Sequence, residues 1–141
     1  ALAQAIKPVS EGGRGALSQC IRLYLEATEI GDAGVTALAS ACASGAMAKC
    51  IHLFLDGNQI GDAGCTALAD ACAIGALPQC QVLSLLRNRI GDAGITALAQ
   101  AIKPASKGGS GAMPKLKVVG LSGNPGKSEP VETVLSGTGR R

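Results

Sequence analysis

Aromatic side chains are almost absent from this chain of 141 residues: tryptophan is missing, and Tyr24 and Phe54 are its single tyrosine and phenylalanine. With no dense basic run either, the interleaved basic and aromatic surface that holds nucleic acid is excluded. Long apolar runs are lacking too. Gly, Asp, Ser and Thr interrupt every alanine-rich stretch, which argues against a membrane span and for a soluble protein. Histidine occurs once, as His52 on the outward face of a candidate strand, with no acidic partner for acid–base chemistry. No Cys-x-x-Cys pair exists to hold a metal. What is present is 47% hydrophobic residues, mostly Ala, Leu, Ile, Val and Cys. That length and composition suffice for one core of small, regular side chains. The net charge of +3 is unevenly spread, because residues 1–70 sum to −3 and residues 71–141 to +6.

The chain repeats itself. Three segments align without gaps at a period of 30: "CIRLYLEATEIGDAGVTALASACASGAMAK", "CIHLFLDGNQIGDAGCTALADACAIGALPQ" and "CQVLSLLRNRIGDAGITALAQAIKPASKGG". The third holds register as far as Ile102 and then takes six extra residues, so "LKVVGLSGNPG" begins 36 residues after Cys80. Residues 1–8, "ALAQAIKP", are identical to residues 97–104. The expected organisation is therefore an array over 1–126, with a truncated first unit at 1–19 and repeats starting at 20, 50, 80 and 116. Residues 127–141 are expected to cap its end, with Val131, Val134 and Leu135 on one helical face. Beginning inside a helix and without an initiator Met, the chain reads as a piece of a longer array whose N-terminal strand edge is open and marginally stable.

Each unit changes period halfway. In "CQVLSLLRNRI", Cys80, Leu83 and Leu85 point one way and Val82, Ser84 and Leu86 the other, as in a short strand with one face open. In "GDAGITALAQAI", Ile95, Leu98, Ala99 and Ile102 form an apolar helical stripe. Asp32, Asp62 and Asp92 stand at the helix starts, where a carboxylate accepts free backbone N–H groups, an N-cap of about 0.5–2 kcal/mol each.

This pattern, Cys/Leu-x-x-Leu-x-Leu-x-x-Asn-x-Ile followed by Gly-Asp-Ala-Gly and a helix, resembles the leucine-rich repeat, and its length is similar to the ribonuclease-inhibitor-like class. The resemblance implies an α/β solenoid with a curved parallel sheet on the concave side and helices on the convex side. The bend toward the strands accords with strands packing at about 4.7–4.9 Å and helices at about 8–10 Å. Small residues at Ala37, Ala41, Ala67, Ala71, Ala97 and Ala101 should let the helices approach closely. Asn58, Asn88 and Asn124 occupy the family's asparagine position, which satisfies backbone groups in the turn after each strand. Thr28 takes its place in the first full unit, leaving either a looser turn or one held by the hydroxyl.

Three features invite another chemistry. "VVGLSGNPGKSEP" looks like a strand entering a phosphate loop, but Leu121 stands where Gly-x-x-x-x-Gly-Lys-Ser needs its first glycine. In repeat register Val119, Leu121 and Asn124 match Leu83, Leu85 and Asn88, so the stretch is a fourth strand. The six cysteines share columns with hydrocarbons: Leu116 with Cys20, Cys50 and Cys80; Ile6 and Ile102 with Cys42 and Cys72; Val35 and Ile95 with Cys65. Such columns are core. The unstapled thiols suit a reducing compartment, and a cytoplasmic location is expected. Finally, "KPVSEGGRGA" and "KPASKGGSGA" read as loops after helices ended by Pro8 and Pro104.

The open strand face is where composition is free of the core. Its columns read Arg22, His52, Val82, Val118; Tyr24, Phe54, Ser84, Gly120; and Glu26, Asp56, Leu86, Ser122. Arg22, Tyr24, Glu26, His52, Phe54, Asp56, Ser84 and Leu86 are the candidate protein-binding residues. The expected function is a non-enzymatic interaction module for another protein, without catalytic residue, cofactor, metal, nucleic acid, membrane or small-molecule substrate. The alternative is a leucine-rich-repeat regulator, such as a GTPase activator or the sensor region of a larger receptor.

Overall fold

The computed structural model describes residues 19–103, 106, 108–127, 130 and 131. The truncated unit before residue 19, Pro8, Pro104 and the Val134 and Leu135 positions lie outside the described residues.

Four three-residue strands, β1 (Arg22–Tyr24), β2 (His52–Phe54), β3 (Val82–Ser84) and β4 (Val118–Gly120), form one parallel sheet in chain order. Between them run α1 (Gly31–Ala43), α2 (Asp62–Ala73) and α3 (Asp92–Ile102). Parallel neighbours need such crossovers, because a two-residue hairpin cannot return the chain to the same end of the sheet. The pairings are those of the sequence columns: Arg22 with His52, His52 with Val82, and Val82 with Val118. The last step spans 36 residues and keeps register.

The core lies between sheet and helices. Leu53, Leu55, Leu83 and Leu85 from the strand segments and Val35, Leu38, Leu68, Ile95 and Leu98 from the helices are all buried in one cluster. Burying each such aliphatic side chain contributes about 1.5–3 kcal/mol. Of the six alanines expected between helices, Ala41, Ala71 and Ala101 are buried, Ala67 and Ala97 are half-buried and Ala37 is exposed.

The C-terminal ends of α1 and α2 are closed mainly by backbone hydrogen bonds. After α1, Gly45 N–H donates to the Cys42 carbonyl and Ala46 N–H to that of Ala41; Gly75 and Ala76 repeat this on Cys72 and Ala71. The glycines take φ of +91° and +103°, the left-handed conformation this ending requires. In the longer third unit Ala112 N–H still reaches the Ala101 carbonyl at 2.8 Å. The six extra residues are thus accommodated between α3 and that bond, and β4 is unaffected.

The turn after each strand also needs a left-handed residue, at Ala27, Gly57, Arg87 and Gly123, with φ of 52°, 66°, 53° and 81°. Two of the four are not glycine and carry a conformational cost.

Candidate functional site

Beyond the strand ends, two ladders of side chains cross from repeat to repeat and tie the turns and helix starts together. Asn58 Nδ2 donates to the carbonyls of Leu25 and Leu55, while its Oδ1 accepts from Thr28 and Ile30 N–H. Asn88 does the same one repeat later, donating to Leu55 and Leu85 and accepting from Asn58 and Ile60 N–H. Asn124 donates to Leu85 and Leu121 and accepts from Ile90 N–H. Each amide therefore satisfies its own turn and the preceding one. Thr28 fills the missing rung through its hydroxyl, which donates to the Leu25 carbonyl at 2.8 Å and to Asn58 Oδ1 at 3.1 Å.

The aspartates form the second ladder, and here the sequence expectation needs correction. None caps its own helix, and the N-cap residues of α1, α2 and α3, which are Ile30, Gly61 and Gly91, make no capping bond through their own side chains. Asp32 Oδ1 instead accepts from Gly61 and Gly64 N–H of the next unit at 2.7 and 2.9 Å. Asp62 Oδ1 accepts from Gly91 and Gly94 N–H at 2.8 Å each, and Asp92 from Lys127 N–H at 2.9 Å. The reason is position. Each aspartate already lies in the first helical turn, and its carboxylate reaches the neighbouring helix start at about strand spacing. The approach is close enough that a Cβ at Gly64 would stand 2.5 Å from Asp32 Oδ1, which explains the second glycine of Gly-Asp-Ala-Gly.

On this frame the face reads as three rows. In the first, Arg22 is exposed and its Nε donates to His52 Nδ1 at 3.1 Å, so the imidazole accepts on Nδ1 and carries its proton on Nε2. In the second, the Tyr24 and Phe54 rings stack with centroids 4.8 Å apart and planes within 4°, and His52 meets Phe54 edge-on at 6.1 Å. Tyr24 is 58% exposed, unusual for a side chain of its size. In the third, Glu26 is exposed and Asp56 half-buried.

Of the eight candidate positions, Arg22, Tyr24 and Glu26 are exposed and His52, Phe54, Asp56 and Leu86 are half-buried; Ser84 and Asp56 depart furthest from the expected free side chains. Ser84 is buried at 6% exposure, with its hydroxyl donating to Asp56 Oδ1. Asp56 Oδ1 also accepts from Leu86 N–H at 2.9 Å, which ties this carboxylate to β3. A hydroxymethyl group is too short to stand clear of the ring beside it in its row. The spacing of 28 between Asp56 and Ser84 was the available signal, but it equals the distance between many neighbouring columns.

The thiol columns are interior as expected: Cys42, Cys50, Cys65, Cys72 and Cys80 are buried, alongside Val35, Ile95, Ile102 and Leu116. Burial, reinforced by neighbouring thiols, pushes Cys42 and Cys80 up to about 12 and Cys50 to about 11. Burial followed by the Asp62 and Asp32 carboxylates takes Cys65 to about 12, and Cys72 is raised further by burial and three thiol neighbours. These five are unreactive protonated thiols at neutral pH. Among the described residues no group of three or more His, Cys, Asp and Glu is placed to hold a metal, and no helix is long and apolar enough to cross a membrane.

Residues 51–69 and 81–99 match the Leucine Rich repeat family. Each match runs from strand through turn into helix, over β2–α2 and β3–α3. With the parallel four-stranded sheet and alternating helices, the chain is an α/β leucine-rich-repeat solenoid. No curated protein matches it.

Proposed function

We propose that this protein is a non-enzymatic interaction module that presents the N-terminal part of its open, concave strand face to another protein. Leucine-rich repeats generally mediate protein–protein interaction, and the observation carrying the proposal is the Tyr24–Phe54 stack, half-exposed on a sheet whose turns are tied together by the side-chain ladders. Aromatic and arginine side chains are the groups that most often anchor an interface, and Arg22, Tyr24 and Phe54 occupy adjoining positions on paired strands. The 30-residue period and helices of 11 to 13 residues support the ribonuclease-inhibitor-like class. The buried, unpaired thiols support a reducing, cytoplasmic setting.

The test is affinity capture with mass spectrometry from the source cell, comparing the parent chain with Arg22→Ala, Tyr24→Ala, Phe54→Ala. Partners bound by the parent and lost from the variant, with the variant's circular dichroism melt retained, support the module. Identical captures place the interaction elsewhere.

A further inference from the structure

The first row of the face carries a charge that can change. His52 is the chain's single histidine, half-buried on β2 and set by register opposite the exposed Arg22 of β1. Arg22 Nε donates to His52 Nδ1 at 3.1 Å, and this is the one hydrogen bond of the guanidinium among the described residues. The bond exists only while Nδ1 keeps its lone pair. An imidazole is also the side chain that ordinarily changes charge between pH 5 and 8. With its second proton the ring is a donor at both nitrogens, and the contact then sets a cation against a cation.

Among the described residues nothing around the ring offsets that second charge. β1 faces it with Arg22 and, one row on, Tyr24; β3 faces it with the uncharged Val82. Lys49, three residues earlier, is a further cation and is bonded to Gln19. On the interior side, the buried Cys50 thiol is turned to the His52 carbonyl and stays protonated at neutral pH. The acidic residues of the same face, Glu26 and Asp56, stand four residues past Arg22 and His52, roughly 13 Å along an extended chain, and salt screens exposed charges beyond about 8–10 Å. Asp56 Oδ1 is in addition taken by Ser84 and Leu86. Of the two side chains Arg22 is the one free to move, since the imidazole lies edge-on to Phe54 with centroids 6.1 Å apart.

We infer that Arg22 and His52 form a pH-sensitive latch on the open face: neutral His52 holds the Arg22 guanidinium in the row beside the Tyr24–Phe54 stack, and protonated His52 lets it go. This rests on the interaction reading above and adds its regulation. A guanidinium held in place beforehand loses less freedom when a partner engages it. A partner that uses it binds at neutral pH and is released on acidification.

The latch is tested by NMR on the free full chain, where a single histidine gives one set of imidazole signals. At pH 7.5 the expected result is an Nε2–H tautomer with Nδ1 unprotonated, and nuclear Overhauser contacts from the Arg22 δ protons to the ring. At pH 5 both nitrogens should carry protons and those contacts should fall at least threefold, with the backbone amide spectrum retained. His52→Asn, whose Oδ1 is an acceptor that takes no proton in this range, should hold the Arg22 Nε–H resonance at one position from pH 7.5 to 5, whereas in the parent it moves. An Nδ1–H tautomer at pH 7.5, contacts undiminished at pH 5, or an Arg22 signal moving equally in both chains overturns the latch. Capture at pH 7.5 and 5.5 tests its consequence: a partner lost at pH 5.5 from the parent and kept by His52→Asn is expected, and equal retention or equal loss overturns the regulation. The two readings separate cleanly. A latch seen by NMR, with captures indifferent to Arg22→Ala, Tyr24→Ala, Phe54→Ala, sinks the interaction module; partners lost from that variant, with no pH-dependent contact between Arg22 and His52, sink the latch alone.

Discussion

The strand pair β1–β2 and the pair β3–β4 share register, core columns and side-chain ladders, yet their open faces have different chemistry. The first carries Arg22 with His52, Tyr24 with Phe54, and Glu26 with Asp56; the second carries Val82 with Val118, Ser84 with Gly120, and Leu86 with Ser122. The interiors differ far less. Cys50 and Cys80 become Leu116, Cys72 becomes Ile102 and Cys65 becomes Ile95, all buried. A column that packs against the helices accepts only a change of apolar group, whereas one on the open face passes from a ring to no side chain. The fold thus leaves the open face unspecified, and the concentration of rings and charge at one end is where function is sought.

The interior contrast sets the largest expected effect. The buried thiols lie in the units starting at 20, 50 and 80, and none lies in the unit starting at 116. An unfolded thiol ionises near 8.5, while Cys42, Cys65 and Cys80 are raised to about 12 when folded. The folded state then binds protons that the unfolded state releases. Stability is fully present below about pH 8.5 and declines as pH rises toward the folded values, by about 1.4 kcal/mol per thiol per pH unit. Urea melts at pH 7.5 and 10 should differ by several kcal/mol. Replacing Cys65, Cys72 and Cys80 by the Ile, Ile and Leu of their own columns should reduce that difference and leave the part due to Cys42 and Cys50; an unchanged alkaline loss would show that the replaced thiols are not its cause.

Next in size is the asparagine ladder, which both halves share. Asn88→Ala leaves the N–H groups of Asn58 and Ile60 and the carbonyls of Leu55 and Leu85 without their amide partner, a loss of about 3 kcal/mol or more. Asn124→Ala should cost less, since that residue is half-buried and makes fewer such bonds. Equal losses in denaturant would remove the distinction between an interior rung and the last one.

The aspartates grade more gently. Asp62→Ala removes a carboxylate shared by two N–H groups and should cost about 1–2 kcal/mol. Asp92→Ala removes one bond, to Lys127, and should cost about half that. The smallest effect is a gain: Arg87→Gly at φ 53° removes left-handed strain where Gly57 and Gly123 stand, raising the denaturation midpoint by an equivalent of up to about 1 kcal/mol. A loss there would mean that the Arg87 stem packed on Gly123 matters more than the backbone.

Much of this was legible in the sequence because repetition supplies its own control. Strand register, the helix stripe of Ile95, Leu98, Ala99 and Ile102, and the interior place of the thiols all followed from which residues share a column. Relations between columns were harder. Asp32 sits at a helix start whether it caps that helix or the next, and the separations of 29 and 32 to Gly61 and Gly64 become contacts only once the units are stacked. Ser84 was assigned to the open face by alternation, but alternation says where a side chain points, not whether a taller neighbour covers it. The direction in which Asp56 turns was equally hidden, because either adjoining strand could have supplied its donors.

The most direct measurement is parallel capture by the parent chain, by Tyr24→Ala, Phe54→Ala on one strand pair, and by Val82→Ala, Val118→Ala on the other. All three should keep the same fold, checked by circular dichroism. Loss of the bound protein from the first variant and its retention by the second is the predicted result. Retention by both, or loss from the second alone, would contradict a binding face centred on the Tyr24–Phe54 stack.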